Sequence, residues 1–260
     1  MSRQLNTKPL FMWVAAVRTL RATPSTHIST RMTTFSPTPA VWKNGERLKL
    51  NLNSDVTVLG PIMAHNGNWI CYGLAKEEDG NHGIIVENGK EVFRIKEPVQ
   101  FQYLRIASSG DYYAVVSDDA GIYLWRINAD TWEIVTKEDV AKDTDTYVWV
   151  PLAFHVGNRD IAIGFKKRQK EFPFEESGAY MWMNDGRGIL TLDENGYISD
   201  ITFFGGKLVA GGYIINQATS EKTAVQWVNG VPQDFSVGCQ GNSRVSQIMN
   251  WNDMFRINPV

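Results

Sequence analysis

The sequence predicts an all-β protein of the β-propeller class, because two turn elements recur along it at one period and the runs between them are short, apolar and β-branched. The first element places an Asn at or beside a turn: Trp42-Lys43-Asn44-Gly45, Val86-Glu87-Asn88-Gly89, Trp125-Arg126-Ile127-Asn128, Trp182-Met183-Asn184-Asp185-Gly186 and Trp227-Val228-Asn229-Gly230. These Asn residues are 44, 40, 56 and 45 positions apart, and the long interval holds the charged stretch 166–176. The second element is a turn between two apolar runs: Asn66-Gly67-Asn68, Ser109-Gly110-Asp111, Gly157-Asn158-Arg159, Gly205-Gly206-Lys207 and Asn250-Trp251-Asn252. Residues 67, 110, 157, 206 and 251 are spaced by 43, 47, 49 and 45. Two hairpins per period make four strands, the content of one blade.

The turn chemistry justifies each hairpin, since Asn-Gly supplies the two positive φ angles of a type I′ turn whose twist matches the strands it joins. The first full unit is expected as strands 56–64, 69–74, 83–86 and 91–95, and the second as 101–107, 112–116, 121–126 and 132–136. Interiors such as Tyr113-Ala114-Val115-Val116 and Leu208-Val209-Ala210-Gly211-Gly212 are small or β-branched, as strands pressed on both faces require. Whole units cover 57–95, 101–136, 147–192 and 197–235. Residues 40–52 supply the last two strands of a further unit and 245–257 the first two. The prediction is therefore five four-stranded blades, the fifth closed by N- and C-terminal strands, which leaves no long open edge.

The N-terminal segment, 1–39, stands apart from the propeller at 40–260 and has two readings. The first 45 residues hold six basic residues and no acidic one, with much Ser and Thr, which is how a targeting segment looks. Alternatively, Phe11-Met12-Trp13-Val14-Ala15-Ala16-Val17 matches Gly206-Lys207-Leu208-Val209-Ala210-Gly211-Gly212 and is a strand of the shared blade, in competition with 254–257.

Composition narrows the function. Across 260 residues, 26 Lys+Arg against 28 Asp+Glu give a net charge of −2, which excludes a broad electrostatic grip on nucleic acid as the default role. No run approaches the roughly 18 apolar residues of a membrane-spanning helix. Cys71 and Cys239 are too few for a disulfide scaffold. His27, His65, His82 and His155 form no pair one helical turn apart, so neither metal nor cofactor is expected.

The phrases Lys207-Leu208-Val209-Ala210-Gly211-Gly212 and Ala224-Val225-Gln226-Trp227-Val228-Asn229-Gly230 resemble the repeats of bacterial extracellular HAF-repeat propellers, in which an Ala-x-x-Trp-x-Asn-Gly hairpin alternates with an x-Val-x-Gly strand. Weaker matches lie at 40–45, 83–89 and 180–186. The resemblance implies a secreted or periplasmic bacterial binding protein. The chain departs from it in showing no clean signal peptide or lipoprotein cysteine near its start.

No G-x-S-x-G, P-loop, G-x-G-x-x-G or H-E-x-x-H motif is present, and no catalytic residue is assigned. Asn184-Asp185-Gly186-Arg187-Gly188 reads as a hairpin turn, and 139–145 as a solvated connection. One constellation stands out: Asp55, Glu97, Asp145 and Glu194 each lie 12 or 13 residues before a hairpin turn, at the start of a blade. Their mutual repulsion would raise some of their pKa values. Such acids either solubilise the turns or serve as ligand-binding groups for a cation or a sugar, and a suitable pair could hydrolyse a glycoside. Trp69, Tyr103, Tyr147 and Trp251 are candidate stacking surfaces, with packing between blades as the competing role. The expected function is a non-catalytic binding or scaffold propeller for a protein or carbohydrate ligand, with a lectin-like propeller or a glycosidase as alternatives.

Overall fold

The computed structural model describes residues 12–18, 37–158, 160–173, 175–234 and 241–248, with the side chains of 12–18, 37, 38 and 234 left aside. The described chain is all β, and it divides into two compact units, Met1–Phe101 and Gln102–Val260.

The first unit opens with β1 (Met12–Arg18), β2 (Pro37–Lys43) and β3 (Glu46–Arg47), a three-stranded antiparallel sheet. A strand lies at Met12–Arg18: β1 pairs with the whole of β2, from Met12 opposite Lys43 to Arg18 opposite Pro37. Next come β4 (Val56–His65), β5 (Asn68–Lys76), β6 (Asn81–Glu87) and β7 (Lys90–Arg94), an up-and-down four-stranded sheet. β8 (Gln100–Ile106), which crosses into the second unit at Gln102, and β9 (Tyr112–Ser117), β10 (Gly121–Ile127) and β11 (Ile134–Lys142) of the second unit form another. In the second unit the same order recurs twice, as β12 (Tyr147–Val156), β13 (Ile161–Gln169), β14 (Glu176–Met183) and β15 (Ile189–Asp193), then β16 (Gly196–Phe204), β17 (Lys207–Ile215), β18 (Lys222–Val228) and β19 (Val231–Asp234). Repeated four-stranded antiparallel blades make this a β-propeller fold.

The repeated Asn has a double role that explains its recurrence. At Asn44-Gly45, Asn66-Gly67, Asn88-Gly89 and Asn229-Gly230 both residues have positive φ, from 48° to 87°, as a type I′ turn demands. In three sheets the Asn side chain also reaches back to the start of the second strand: Asn88 Oδ1 accepts the Trp69 N–H at 3.1 Å, Asn184 Oδ1 that of Ile161 at 2.9 Å, and Asn229 Oδ1 that of Leu208 at 3.0 Å. The Asn amide returns the bond, Asn229 N donating to Leu208 O at 2.8 Å. Asn128 departs from this pattern, its Oδ1 accepting from Asp130 N and Thr131 N within its own turn.

A second repeat lies in the first strands, which bulge opposite a glycine of the second strand: Gly73 faces Leu59, Gly164 faces Ala153 and Gly212 faces Ile198. A Cβ on Gly73 would sit 2.3 Å from Val58 O, and one on Gly212 1.8 Å from Tyr197 O, so the bulged backbone comes closer than any side chain permits.

Apolar residues of adjacent sheets form the cores. Val41 of β2 packs with Val56, Cys71, Ile84 and Val86, and the Cys71 thiol is pushed up to about 12 by burial. In the second unit Leu124, Phe154, Ile163, Phe165, Tyr180 and Trp182 form one cluster, and Met181, Ile198, Leu208, Val225 and Trp227 another. Truncating a buried Trp such as Trp227 to Ala costs about 3–5 kcal/mol.

Several sequence boundaries shift. The charged stretch 166–176 is a lengthened hairpin, with β13 running to Gln169 and β14 starting at Glu176, because its residues continue the strand ladder as Lys167 opposite Trp149 and Arg168 opposite Glu176. The connection expected at 139–145 is in part the end of β11, whose residues 139–142 pair with β10. Residues 245–248, expected to open a strand of the shared fifth sheet, form no strand, for Val245 N donates to Gly212 O at 3.0 Å and Ile248 N to Asp200 Oδ2 at 2.8 Å. Gly211 makes this course possible, since a Cβ there would meet Val245 Cγ1 at 2.6 Å. The rest of that expected contribution, 249–257 with Trp251, lies outside the described residues, as does Cys239.

Candidate functional site

Each of the four sequence-flagged acids precedes the first strand of its sheet: Asp55 before β4, Glu97 before β8, Asp145 before β12 and Glu194 before β16. In an up-and-down sheet the start of the first strand, the end of the second, the start of the third and the end of the fourth share one edge. Side chains from all four positions therefore converge at that edge.

At this edge of the β4–β7 sheet, Arg94 is a hub. Its Nη1 donates to Asp55 Oδ2 at 2.6 Å and to Glu77 Oε1 at 2.5 Å, while Nε and Nη2 hold Glu91 in a fork at 2.8 and 2.7 Å. Arg94, Asp55 and Glu91 keep only 22–25% of their side-chain surface, so the charges are weakly screened. The Arg94 hydrogen bond holds the Asp55 carboxyl below its usual range, against the upward push of burial. This reverses the expectation of mutual repulsion for Asp55, because a guanidinium stands where a second carboxylate was foreseen. Asp55 Oδ1 is buried without a partner among the described residues. Glu97 is exposed, and the described contact it makes is through its carbonyl, which accepts Val99 N at 2.8 Å.

The corresponding edge of the β12–β15 sheet is aromatic. Trp149 meets Tyr147, Phe165 and Tyr180 edge-on, with ring centroids 5.4, 5.9 and 5.0 Å apart. Lys167 Nζ lies over three of these rings, 5.0 Å from the Tyr147 centroid, 5.3 Å from Trp149 and 4.5 Å from Tyr180. Gly178 sets the Tyr180 ring: with φ of 82° and a ring atom only 2.1 Å from where its Cβ would be, it lets the phenol fold back over its own strand. The Tyr180 hydroxyl then donates to Glu194 Oε2 at 2.5 Å, and burial together with that carboxylate raises its pKa. Asp145 is exposed in a turn shaped by Thr144, whose Oγ1 accepts Thr146 N and Tyr147 N.

Sequence reasoning missed Asp143. It is half-buried, its Oδ1 accepts Trp149 N at 2.9 Å, and burial raises its pKa. The signal available was the acidic pair two residues apart, of which the inner member is the desolvated one. Arg94 and Lys167 were missed too, for a cation at the end of a strand gives no sign of what it faces. Of the proposed stacking residues, Tyr147 joins the aromatic edge, while Trp69 and Tyr103 pack against apolar clusters.

No family model and no curated protein matches the chain. Among solved structures, the S511A mutant of puromycin hydrolase complexed with PGG matches over 81% of this chain and 34% of its own, with a TM-score of 0.50 and 11% identity. The chain thus spans about a third of the length of that protein. A thermostable family-43 glycoside hydrolase matches over 79% of this chain and 86% of its own, at a TM-score of 0.44 and 12% identity. A β-1,3-galactosidase of the same hydrolase family matches over 90% and 59%, at 0.47 and 11%. At these identities the likeness concerns the fold. No helix among the described residues is long and apolar enough to cross a membrane.

Proposed function

We propose that the protein is a non-catalytic binding propeller whose ligand-contacting edge is that of the β12–β15 sheet, and that the ligand is a carbohydrate. The observation that carries this reading is the set Tyr147, Trp149 and Lys167 beside Asp145 and Glu194: aromatic rings offer faces to the C–H surface of a sugar, while the ammonium and carboxylates offer donors and acceptors for its hydroxyls. The resemblance of its Trp-x-Asn-Gly hairpins to extracellular propeller repeats supports the same reading, and an extracellular or periplasmic location is proposed with it. A glycosidase needs one carboxylic acid kept protonated near neutral pH, and Arg94 drives Asp55 the other way, which removes Asp55 from that role.

Asp143 favours a second reading, hydrolysis, because its burial moves its pKa in the direction a general acid requires and its Oδ1 is fixed on the backbone of Trp149. A glycan-array screen run beside chromogenic glycosides separates the two. The binding reading expects retention of a glycan that Trp149→Ala abolishes, with no turnover. Turnover lost in Asp143→Asn establishes the second reading and overturns the first.

A further inference from the structure

We propose that Glu77, Asp79 and His82 form a binding site for a divalent transition-metal ion, with Zn2+ as the ion that suits the donor set. His82 is the second residue of β6 and only 1% exposed. Its Nδ1 lies 3.0 Å from the carbonyl oxygen of Ile95, and its Nε2 lies 2.8 Å from Asp79 Oδ1. Both neighbours are acceptors. A neutral imidazole has one N–H and one lone pair, and with the N–H given to the Ile95 carbonyl the Nε2 lone pair of this buried ring points at a carboxylate that has no proton to offer it. A second proton or a cation resolves the conflict. An imidazole anchored through one nitrogen on a backbone carbonyl, with the other nitrogen directed at carboxylates, is also how a metal-ligating histidine is held.

The chain's local fold supplies the other ligands. Glu77 N donates to Gly80 O at 2.8 Å, closing the turn between β5 and β6 and bringing Glu77 and Asp79 beside the ring. One donor atom from each of Glu77, Asp79 and His82 lies within 4.8 Å of the others, and ligands about 2.0–2.2 Å from a tetrahedral ion stand roughly 3.3–3.6 Å apart, so side-chain adjustment alone closes the site. Glu77 gives Oε1 to Arg94, which leaves Oε2 for the ion. With His82 neutral, the carboxylates of Asp55, Glu77, Asp79 and Glu91 outweigh Arg94, so this edge carries a surplus of negative charge that a divalent ion reduces. Asp79 and Glu77 keep 59% and 40% of their side-chain surface, which gives the ion an approach and room for water as a further ligand. On binding, the ion takes the Nε2 lone pair, and any second imidazole proton leaves to solvent.

Isothermal titration of the full chain with ZnCl2, followed by Co2+ substitution read in the visible spectrum, tests this. The expected result is one ion per chain, a melting temperature raised by Zn2+ and restored by chelator, and an affinity lowered about 10- to 100-fold in both His82→Gln and Asp79→Asn. Asp79→Asn changes an exposed side chain, so the test survives if His82→Gln fails to fold. Glu194→Gln, on another sheet, leaves the affinity unchanged. Absence of saturable binding, or binding that neither His82→Gln nor Asp79→Asn weakens, overturns the proposal.

Discussion

The same edge of two like-ordered sheets handles a half-buried cation in opposite ways. In the β4–β7 sheet Arg94 is surrounded by Asp55, Glu77 and Glu91, whereas in the β12–β15 sheet Lys167 rests on Tyr147, Trp149 and Tyr180 and has no carboxylate within ion-pair distance among the described residues. A guanidinium in a carboxylate nest is tied to its site by forked hydrogen bonds, each of which leaves an orphaned charge if broken. An ammonium on aromatic faces is held by weak, undirected attraction and keeps its N–H groups for other partners. The first edge is organised around its own charges, and the second is the one proposed above to meet a carbohydrate.

The comparison breaks most sharply at Arg94. Arg94→Met should cost about 2–3 kcal/mol in urea unfolding at neutral pH, because three partly buried carboxylates lose their counter-charge together, and Arg94→Lys should recover only part of that for want of the fork. A loss below about 1 kcal/mol would place this edge among ordinary surface ion pairs. On the aromatic edge, Gly178→Ala should cost about 2 kcal/mol, since the positive φ and the Tyr180 ring both resist a Cβ. Near-ultraviolet circular dichroism should show the aromatic packing altered.

The two edges should also differ in their response to pH. Asp79 raises the pKa of His82 above its ordinary value of 6.5, so this contribution is complete below about pH 6.5 and is lost as pH rises through the higher folded value. Asp55, held low by Arg94, contributes above its ordinary value of 3.8 and loses that contribution as pH falls through the lower folded value. Melting curves of the wild type and His82→Gln should therefore diverge most below pH 6.5 and converge as pH passes the higher folded value. Asp143 on the other edge has the opposite sign to Asp55, because burial raises its pKa: its charge costs stability as pH rises past 3.8, and Asp143→Asn should relieve that cost. The smallest effect is expected for Lys167→Met, within about 1 kcal/mol and insensitive to salt, since the methionine keeps the contact with the rings while the cation–π attraction is lost.

Some of the site was legible in advance. The starts of four sheets could be placed to within a few residues, and with them Asp55, Glu97, Asp145 and Glu194, because turn residues fix hairpin positions locally. What those acids face was not legible. Arg94 is 39 residues from Asp55, and Tyr180 is 14 from Glu194, and nothing local distinguishes these partners from other cations and phenols. The glycines opposite the first-strand bulges were visible as letters in small-residue runs, but their meaning depends on a neighbouring backbone.

By itself the sequence determined the period, the Asn-Gly turns and the alternation of strands, for these rest on φ preferences and hydrophobic patterning that act over a few residues. It left residues 11–17 open between a targeting segment and a strand like that at 207, and the strand Met12–Arg18 emerges in the structure. The tertiary structure decided which charges are neutralised. Arg94 turns Asp55 into a structural anion, a half-buried position raises the pKa of Asp143, and the Gly178 backbone folds Tyr180 towards Glu194. Each of these depends on burial and on a partner delivered by a different strand, and the electrostatic energy of a carboxylate is set by what surrounds it once water has been removed.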